Sequence, residues 1–219
     1  MQSLGDREAF IANVRVRLRN GIPDNPLRPI VPVDGPLPPI EYTVDLTDPV
    51  AAFTSAARAV GADVRDLEDR DELIRDVCRM HSVARAVVSA DPECAGVADV
   101  LRDLGVEVGT LGDIAATAGA ELGITGAVCG IALTGSLVVD SRRAGARTAS
   151  LLPGVHLALL PRGAILPTPG HLFRDLPATL PDGLPSNLVL ITGPSRSADI
   201  ELQLTIGVHG PRHLVIGLL

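Results

Sequence analysis

Lysine is absent: all 19 basic residues of this 219-residue chain are arginine. That excludes, within this chain, a Schiff-base lysine, a pyridoxal-phosphate lysine and the lysine of a phosphate-binding P-loop. Tryptophan is absent as well, and aromatic residues make up only 2%. The core must therefore be aliphatic, and no ring set exists for stacking bases. Acidic residues outnumber basic ones, giving a net charge of −7. With no cationic surplus to displace counterions, no nucleic-acid partner is expected. Cysteine is sparse: Cys78, Cys94 and Cys129 show no CxxC spacing. Neither a zinc ribbon nor a cysteine-bound iron–sulfur cluster can be assembled from this chain alone, and an odd, sparse set fits a reducing compartment. No apolar run is long enough to span a bilayer, and the opening MQSLGDREAFIANVRVRL shows no signal-peptide pattern. The expected location is cytoplasmic, with no membrane span.

What is present is a globular composition, 46% hydrophobic and 21% charged. The length suits one domain with an appendage. Residues 1–44 form the expected appendage. Phe10, Val14 and Leu18 recur at helical spacing between Asp6 and Asn20, and Gly21 can stop that helix. Ile22 to Tyr42 then carries Pro23, Pro26, Pro29, Pro32, Pro36, Pro38 and Pro39. That density forbids a helix and disfavours a central strand. The stretch reads as an extended arm, either docked through Ile30, Val31, Val33 and Ile40 or serving as a linker.

Residues 45–219 form the expected α/β domain. Helices are predicted over Asp48–Val60, Asp69–His81, Pro92–Leu104 and Gly112–Leu122, alternating with short strands at Asp63–Leu67, Ala84–Ala90 and Val106–Val108. This alternation means βα units and a mostly parallel sheet. The second half reads differently. Ala127–Val139 and Ala149–Leu160 look like antiparallel neighbours joined by a turn around Ser141–Gly145, with no helix between them. A short helix at Pro169–Leu176, a buried strand at Asn187–Thr192, a helix at Ser197–Ile206 and a final strand at His213–Leu219 complete the reading. The fold class is thus an α/β three-layer sandwich with a mixed, mainly parallel sheet.

Three segments can carry chemistry. In Leu188–Glu201 (LVLITGPSRSADIE) a strand runs into Gly193, Ser195, Arg196, Ser197 and Asp199 at a predicted helix start. Unpaired helix N–H groups and the Arg196 charge suit a carboxylate or phosphate. The same residues also read as a plain helix cap, with Asp199 offsetting the dipole. In Gly207–Pro211 (GVHGP), His209 reads as an acid–base group or as part of a helix C-terminal turn. In Gly123–Ser136 the glycines allow close backbone approach but do not make a GxGxxG loop, and Cys129 reads as a buried residue or a nucleophile. No GxSxG elbow is present. His156 lies in a strand-like run, which favours a satisfied core histidine over a catalyst, and His171 and His213 give no metal spacing.

In order, Gly126–Ser136, Arg147–His156 (RTASLLPGVH), Ile165–Thr168 (ILPT), Thr192–Glu201 (TGPSRSADIE) and Gly207–Pro211 resemble the LUD-domain family of lactate-utilization protein C. The resemblance covers residues 45–219. It implies a fold similar to glucosamine-6-phosphate deaminase, ribose-5-phosphate isomerase and CoA transferases. It implies a non-redox, accessory role in oxidising L-lactate to pyruvate, with iron–sulfur clusters carried by partner proteins and none in this chain. It also implies His209 and Arg196 as catalytic residues, and Thr134, Gly135, Arg147, His156, Gly193, Ser195, Ser197 and Asp199 as ligand-binding residues, with no metal. Members commonly carry an acidic residue just before the Thr-Gly pair; this chain has Leu133 there. The expected partners are iron–sulfur subunits of a lactate-oxidising system, a small carboxylate or phosphate, and a possible second copy of the chain. The other readings are a stand-alone enzyme or binding protein for a phosphorylated or CoA-linked metabolite, and a binding module assembled through the Pro-rich arm.

Overall fold

The computed structural model describes residues 44–66, 69–110, 112–142, 146–180, 183, 185, 187–198, 204–206 and 209–219. The predicted first helix and Pro-rich arm lie outside these residues.

Local chemistry sets most element starts. Helix α1 (Pro49–Ala59) begins at Asp48, whose carboxylate accepts from the Val50 and Ala51 N–H groups, with Pro at the first helical position. Helix α2 (Arg70–Met80) is capped in the same way by Asp69. Strands β1 (Asp63–Asp66) and β2 (Arg85–Val88) follow these helices. The helix predicted over Pro92–Leu104 is interrupted: a 3-10 turn at Pro92–Cys94 precedes α3 (Val97–Asp103). Gly96 between them adopts a φ of +78°, which breaks the α run. The helix predicted over Gly112–Leu122 shortens to α4 (Ile114–Ala118), because Leu122 already belongs to a strand.

Six strands form one all-parallel sheet: β1, β12 (His213–Leu218), β7 (Val155–Leu160), β4 (Leu122–Gly126), β2 and β3 (Glu107–Val108), in that spatial order. A second, mixed sheet holds β8 (Ile165–Leu166), β5 (Cys129–Ile131), β6 (Ser136–Asp140) and β9 (Leu188–Ile191). The antiparallel pairing expected between Ala127–Val139 and Ala149–Leu160 is therefore overturned. β7 lies between β4 and β12, while β6 pairs with β5 and β9, and a helix, α5 (Ala146–Ala149), stands between β6 and β7. The reason is burial: all six residues of β7 are buried, which fits a central parallel strand covered on both faces.

Alternate β7 residues serve the two faces. Val155, Leu157 and Leu159 join Leu73, Ile74 and Val77 of α2 and Val97 and Leu101 of α3. Ala158 and Leu160 join Phe53 and Ala57 of α1 together with Leu137 and Ile165 from the second sheet. Helices thus cover one face, and α1 with the mixed sheet covers the other, which is the layered α/β arrangement expected. The helix predicted at Pro169–Leu176 is split into α6 (Pro169–Arg174) and α7 (Leu176–Thr179).

Two corrections fall on the segment singled out for anion binding. The strand at Asn187–Thr192 is not buried: β9 is an edge strand, and Leu190 is 43% exposed. Where a helix is predicted over Ser197–Ile206, the described residues form two strands instead, β10 (Arg196–Ala198) antiparallel to β11 (Leu204–Ile206). Ile200, Leu202, Leu204 and Ile206 alternate with polar residues, a two-residue period that argues for strand. The helix start proposed as an anion cradle is thus replaced by a strand start.

Candidate functional site

The segment after β9 still builds a concave site. Thr192, Gly193 and Ser195 face Ser150 and Leu151, which follow α5, and His209, Gly210 and Pro211, which lead into β12. Together with Asn187, Val189, Leu190 and Ile191 they enclose a cleft of about 450 Å³, within the size range of a small-metabolite site. It opens at the amino ends of β7 and β12, not at the carboxyl ends where open α/β sheets commonly bind ligands. Backbone bonds hold the frame. Ser195 N–H donates to Pro211 O at 2.9 Å, and Arg212 N–H donates to Gly154 O at 2.8 Å.

The lining has two characters. Leu151, Val189, Leu190, Ile191 and Pro211 are apolar, while Ser150, Asn187, Thr192, Ser195 and His209 bring polar groups. Among the described lining residues there is no carboxylate. Hydroxyl donors and an exposed imidazole beside an apolar wall suit a small anion with an apolar body.

Of the residues implied by the resemblance, Gly193, Ser195 and His209 meet in this cleft. Arg196 points elsewhere. Its guanidinium donates to Val60 O at 2.9 Å, at the C-terminal end of α1, and packs over Gly61. A cation there complements the helix dipole. Gly193 seats the same segment on α1: its φ is +80°, and a Cβ would stand 2.6 Å from Val60 O. Because Arg196 is exposed, Arg196→Ala is expected to cost only about 1 kcal/mol. Urea unfolding checks this; a loss above about 3 kcal/mol would mean that more than one exposed hydrogen bond depends on it.

Thr134 and Gly135 form the turn between β5 and β6, away from the lining. Thr134 Oγ1 lies 2.7 Å from Ser136 Oγ, which lies 2.7 Å from Thr192 Oγ1 at the cleft. Leu133, where the resemblance implies an acid, donates its N–H to Pro167 O at 3.0 Å. His156 is not in the cleft but inside the parallel sheet, 1% exposed and beside Gly123. Its Nε2 is 2.9 Å from Thr125 Oγ1, and burial pushes the imidazole down to about 4. Arg147 lies on α5 and Ser197 on β10, but their side chains, like Asp199, fall outside the described residues.

Sequence reasoning did not single out Thr192, which lines the cleft, Ser136, whose hydroxyl meets it, or the buried Asp91. Asp91 is 4% exposed at the carboxyl end of β2 and accepts the Gly126 N–H of β4 at 2.9 Å and the Ser89 hydroxyl. An acid directly after a buried strand was the available signal. The three thiols lie on separate elements: α2, the 3-10 turn and β5. Cys78, Cys94 and Cys129 are all buried and free, and burial pushes Cys94 up to about 11 and Cys129 up to about 12. Among the described residues, no group of three or more His, Cys, Asp or Glu could hold a metal ion. No helix among them is long and apolar enough to cross a membrane.

A family model described as the LUD domain matches residues 50–219. Lactate utilization protein C of Halalkalibacterium halodurans is 31% identical over 222 residues, covering 94% of each chain. Lactate utilization protein C of Bacillus subtilis is 38% identical over 94 residues, 42% of this chain and 39% of that one. An uncharacterized protein of Neisseria meningitidis serogroup B is 43% identical over 96 residues, 44% of this chain and 41% of that one. With these last two, the matched stretch spans about two fifths of the relative's length. A crystal structure of a DUF162 family protein from Deinococcus radiodurans shares the fold, with a TM-score of 0.56 at 22% identity over 80% of this chain and 98% of that one.

Proposed function

Because this chain belongs to the LUD-domain family, we propose that it is a non-redox subunit of a lactate-utilization system that holds a small carboxylate in the cleft beside His209. The observation that carries the reading is the cleft itself: Thr192, Ser195 and His209 converge beside an apolar wall, with no carboxylate among the described lining residues to repel an anion. The relatives named Lactate utilization protein C give the substrate class.

The division of labour follows from the chemistry. Oxidising lactate to pyruvate removes two electrons and two protons, and a free thiol, already reduced, cannot accept the electrons. Iron–sulfur partner subunits take that part. The residues of this chain bind and orient: Thr192 and Ser195 donate hydroxyl hydrogen bonds to the carboxylate, the His209 imidazole adds a further donor, and Leu190 and Pro211 shelter the methyl end. Arg196 acts indirectly, by seating the Gly193–Ser195 segment on α1.

Calorimetric titration with pyruvate and L-lactate tests the binding role. The wild type is expected to bind, and His209→Ala is expected to weaken binding by about tenfold, the worth of one charge-assisted hydrogen bond. Binding of sugar phosphates or CoA esters, with none of pyruvate or lactate, would replace this reading with a stand-alone protein for phosphorylated or CoA-linked metabolites. Anaerobic affinity purification from lactate-grown cells, with iron assayed in the eluate, tests the partner role. Co-eluting iron on cysteine-rich chains is expected.

A further inference from the structure

Three side-chain hydroxyls form a continuous run from the β5–β6 turn to the cleft. Thr134 Oγ1 is 2.7 Å from Ser136 Oγ, and Ser136 Oγ is 2.7 Å from Thr192 Oγ1. Ser136 opens β6 and is 3% exposed. Thr192 is exposed at the end of β9 and lines the cleft. Thr134 is not among the cleft-lining residues. The β6–β9 pairing, with Leu137 opposite Ile191, is what brings Ser136 beside Thr192 across 56 residues of sequence.

Each hydroxyl owns one proton and can both donate and accept. In a run of three, the direction of the first bond governs the others. When an anion occupies the cleft, the Thr192 proton must point at it. Thr192 then accepts from Ser136, and Ser136 accepts from Thr134. All three protons point toward the ligand, and each bond polarises the next. A ligand that donates a hydrogen bond would need the opposite direction at Thr192.

We propose that Thr134 and Ser136 are positioning residues for anion binding, aligning the Thr192 hydroxyl as a donor into the cleft through this relay. The inference rests on the proposed role of the cleft as a carboxylate site. It gives Thr134, which lies off the cleft, a defined part in binding: the residue acts two hydroxyls away, through Ser136.

The test is pyruvate affinity measured by calorimetry, with pyruvamide as a neutral analogue of the same shape and a melting curve for each variant. Thr134→Val keeps the side-chain shape and removes the hydroxyl; Thr134→Ser restores the hydroxyl. Thr134→Val is expected to weaken pyruvate by about three- to tenfold and pyruvamide by less, with Thr134→Ser close to wild type. Ser136→Ala is expected to match Thr134→Val, and the double variant to be no worse than Ser136→Ala, since one break interrupts the run. Unchanged pyruvate affinity in Thr134→Val, with Thr192→Val weakened, would overturn the relay and leave the cleft reading standing. Equal losses for pyruvate and pyruvamide, or additive losses in the double variant, would also overturn it. A wild type that binds neither ligand would overturn the cleft reading and the relay with it.

Discussion

Gly135→Ala is expected to destabilise the protein by about 3–5 kcal/mol, the sum of backbone strain and a clash that cannot relax. Gly135 turns the chain between β5 and β6 with a φ of +64°. A side chain in that region meets its own carbonyl, a cost of about 1–2 kcal/mol. The added methyl would also strike the backbone of α1: 2.6 Å from Ala56 C, 2.6 Å from Ala57 Cα, and nearer still to the Ala57 nitrogen. Those atoms belong to a helix whose Phe53 and Ala57 are fully buried against β7 and β12, so they cannot step aside. Urea unfolding measures the loss. A cost below about 1 kcal/mol would show that the turn and α1 can separate without penalty. The consequence reaches the cleft, because Thr134 and Ser136 flank Gly135.

Acidification from pH 6.5 to 4 is expected to remove about 3 kcal/mol of stability through His156 alone. Burial lowers its imidazole from 6.5 to about 4, because the charged form loses its hydration inside the sheet. The sign follows directly. Between those two values the unfolded chain binds a proton that the folded chain does not, so stability falls as pH falls. Above 6.5 both states are neutral and the contribution is fully present; below about 4 both are protonated and no further loss arises. His156→Gln removes the titration while keeping a polar partner for Thr125. The difference between wild-type and His156→Gln unfolding free energies is expected to depend steeply on pH in this window. A difference that stays flat from pH 6.5 to 4 would mean that the imidazole is protonated in the folded protein. The His156 Nδ1 atom, buried without a hydrogen-bond partner among the described residues, adds to the cost of this placement.

Several elements were legible from local pattern. Asp48 with Pro49, and Asp69 before its charged helix, mark α1 and α2 by chemistry that acts within one turn. The short apolar runs of β2 and β12 stand between turn residues, and both are strands. The antiparallel strands Arg196–Ala198 and Leu204–Ile206 were misread because Ser197 and Asp199 look like a helix start, while the two-residue alternation in the sequence from Ile200 to Ile206 is the stronger signal. The broken helix at Pro92–Leu104 was missed because a glycine's φ depends on what the chain must do next, and Gly96 gives no local sign of it.

The candidate site divides along the same line. His209, Ser195 and Gly193 could be named from the GPSR and GVHGP segments, and they do meet. Arg196 belonged to the same motif, yet its guanidinium reaches Val60, 136 residues earlier in the chain. His156 reads as a core histidine from its strand-like run and as a ligand residue only through the resemblance, and it is buried inside the sheet. By itself the sequence determined the aliphatic core, the lack of lysine chemistry, the α/β alternation and the family, because composition and short-range pattern are properties of the chain. Only the tertiary structure decided that β7 pairs in parallel between β4 and β12, that Thr192 joins Ser136, and that Arg196 turns to α1. Those contacts depend on which distant surfaces bury each other, and no local pattern encodes that choice.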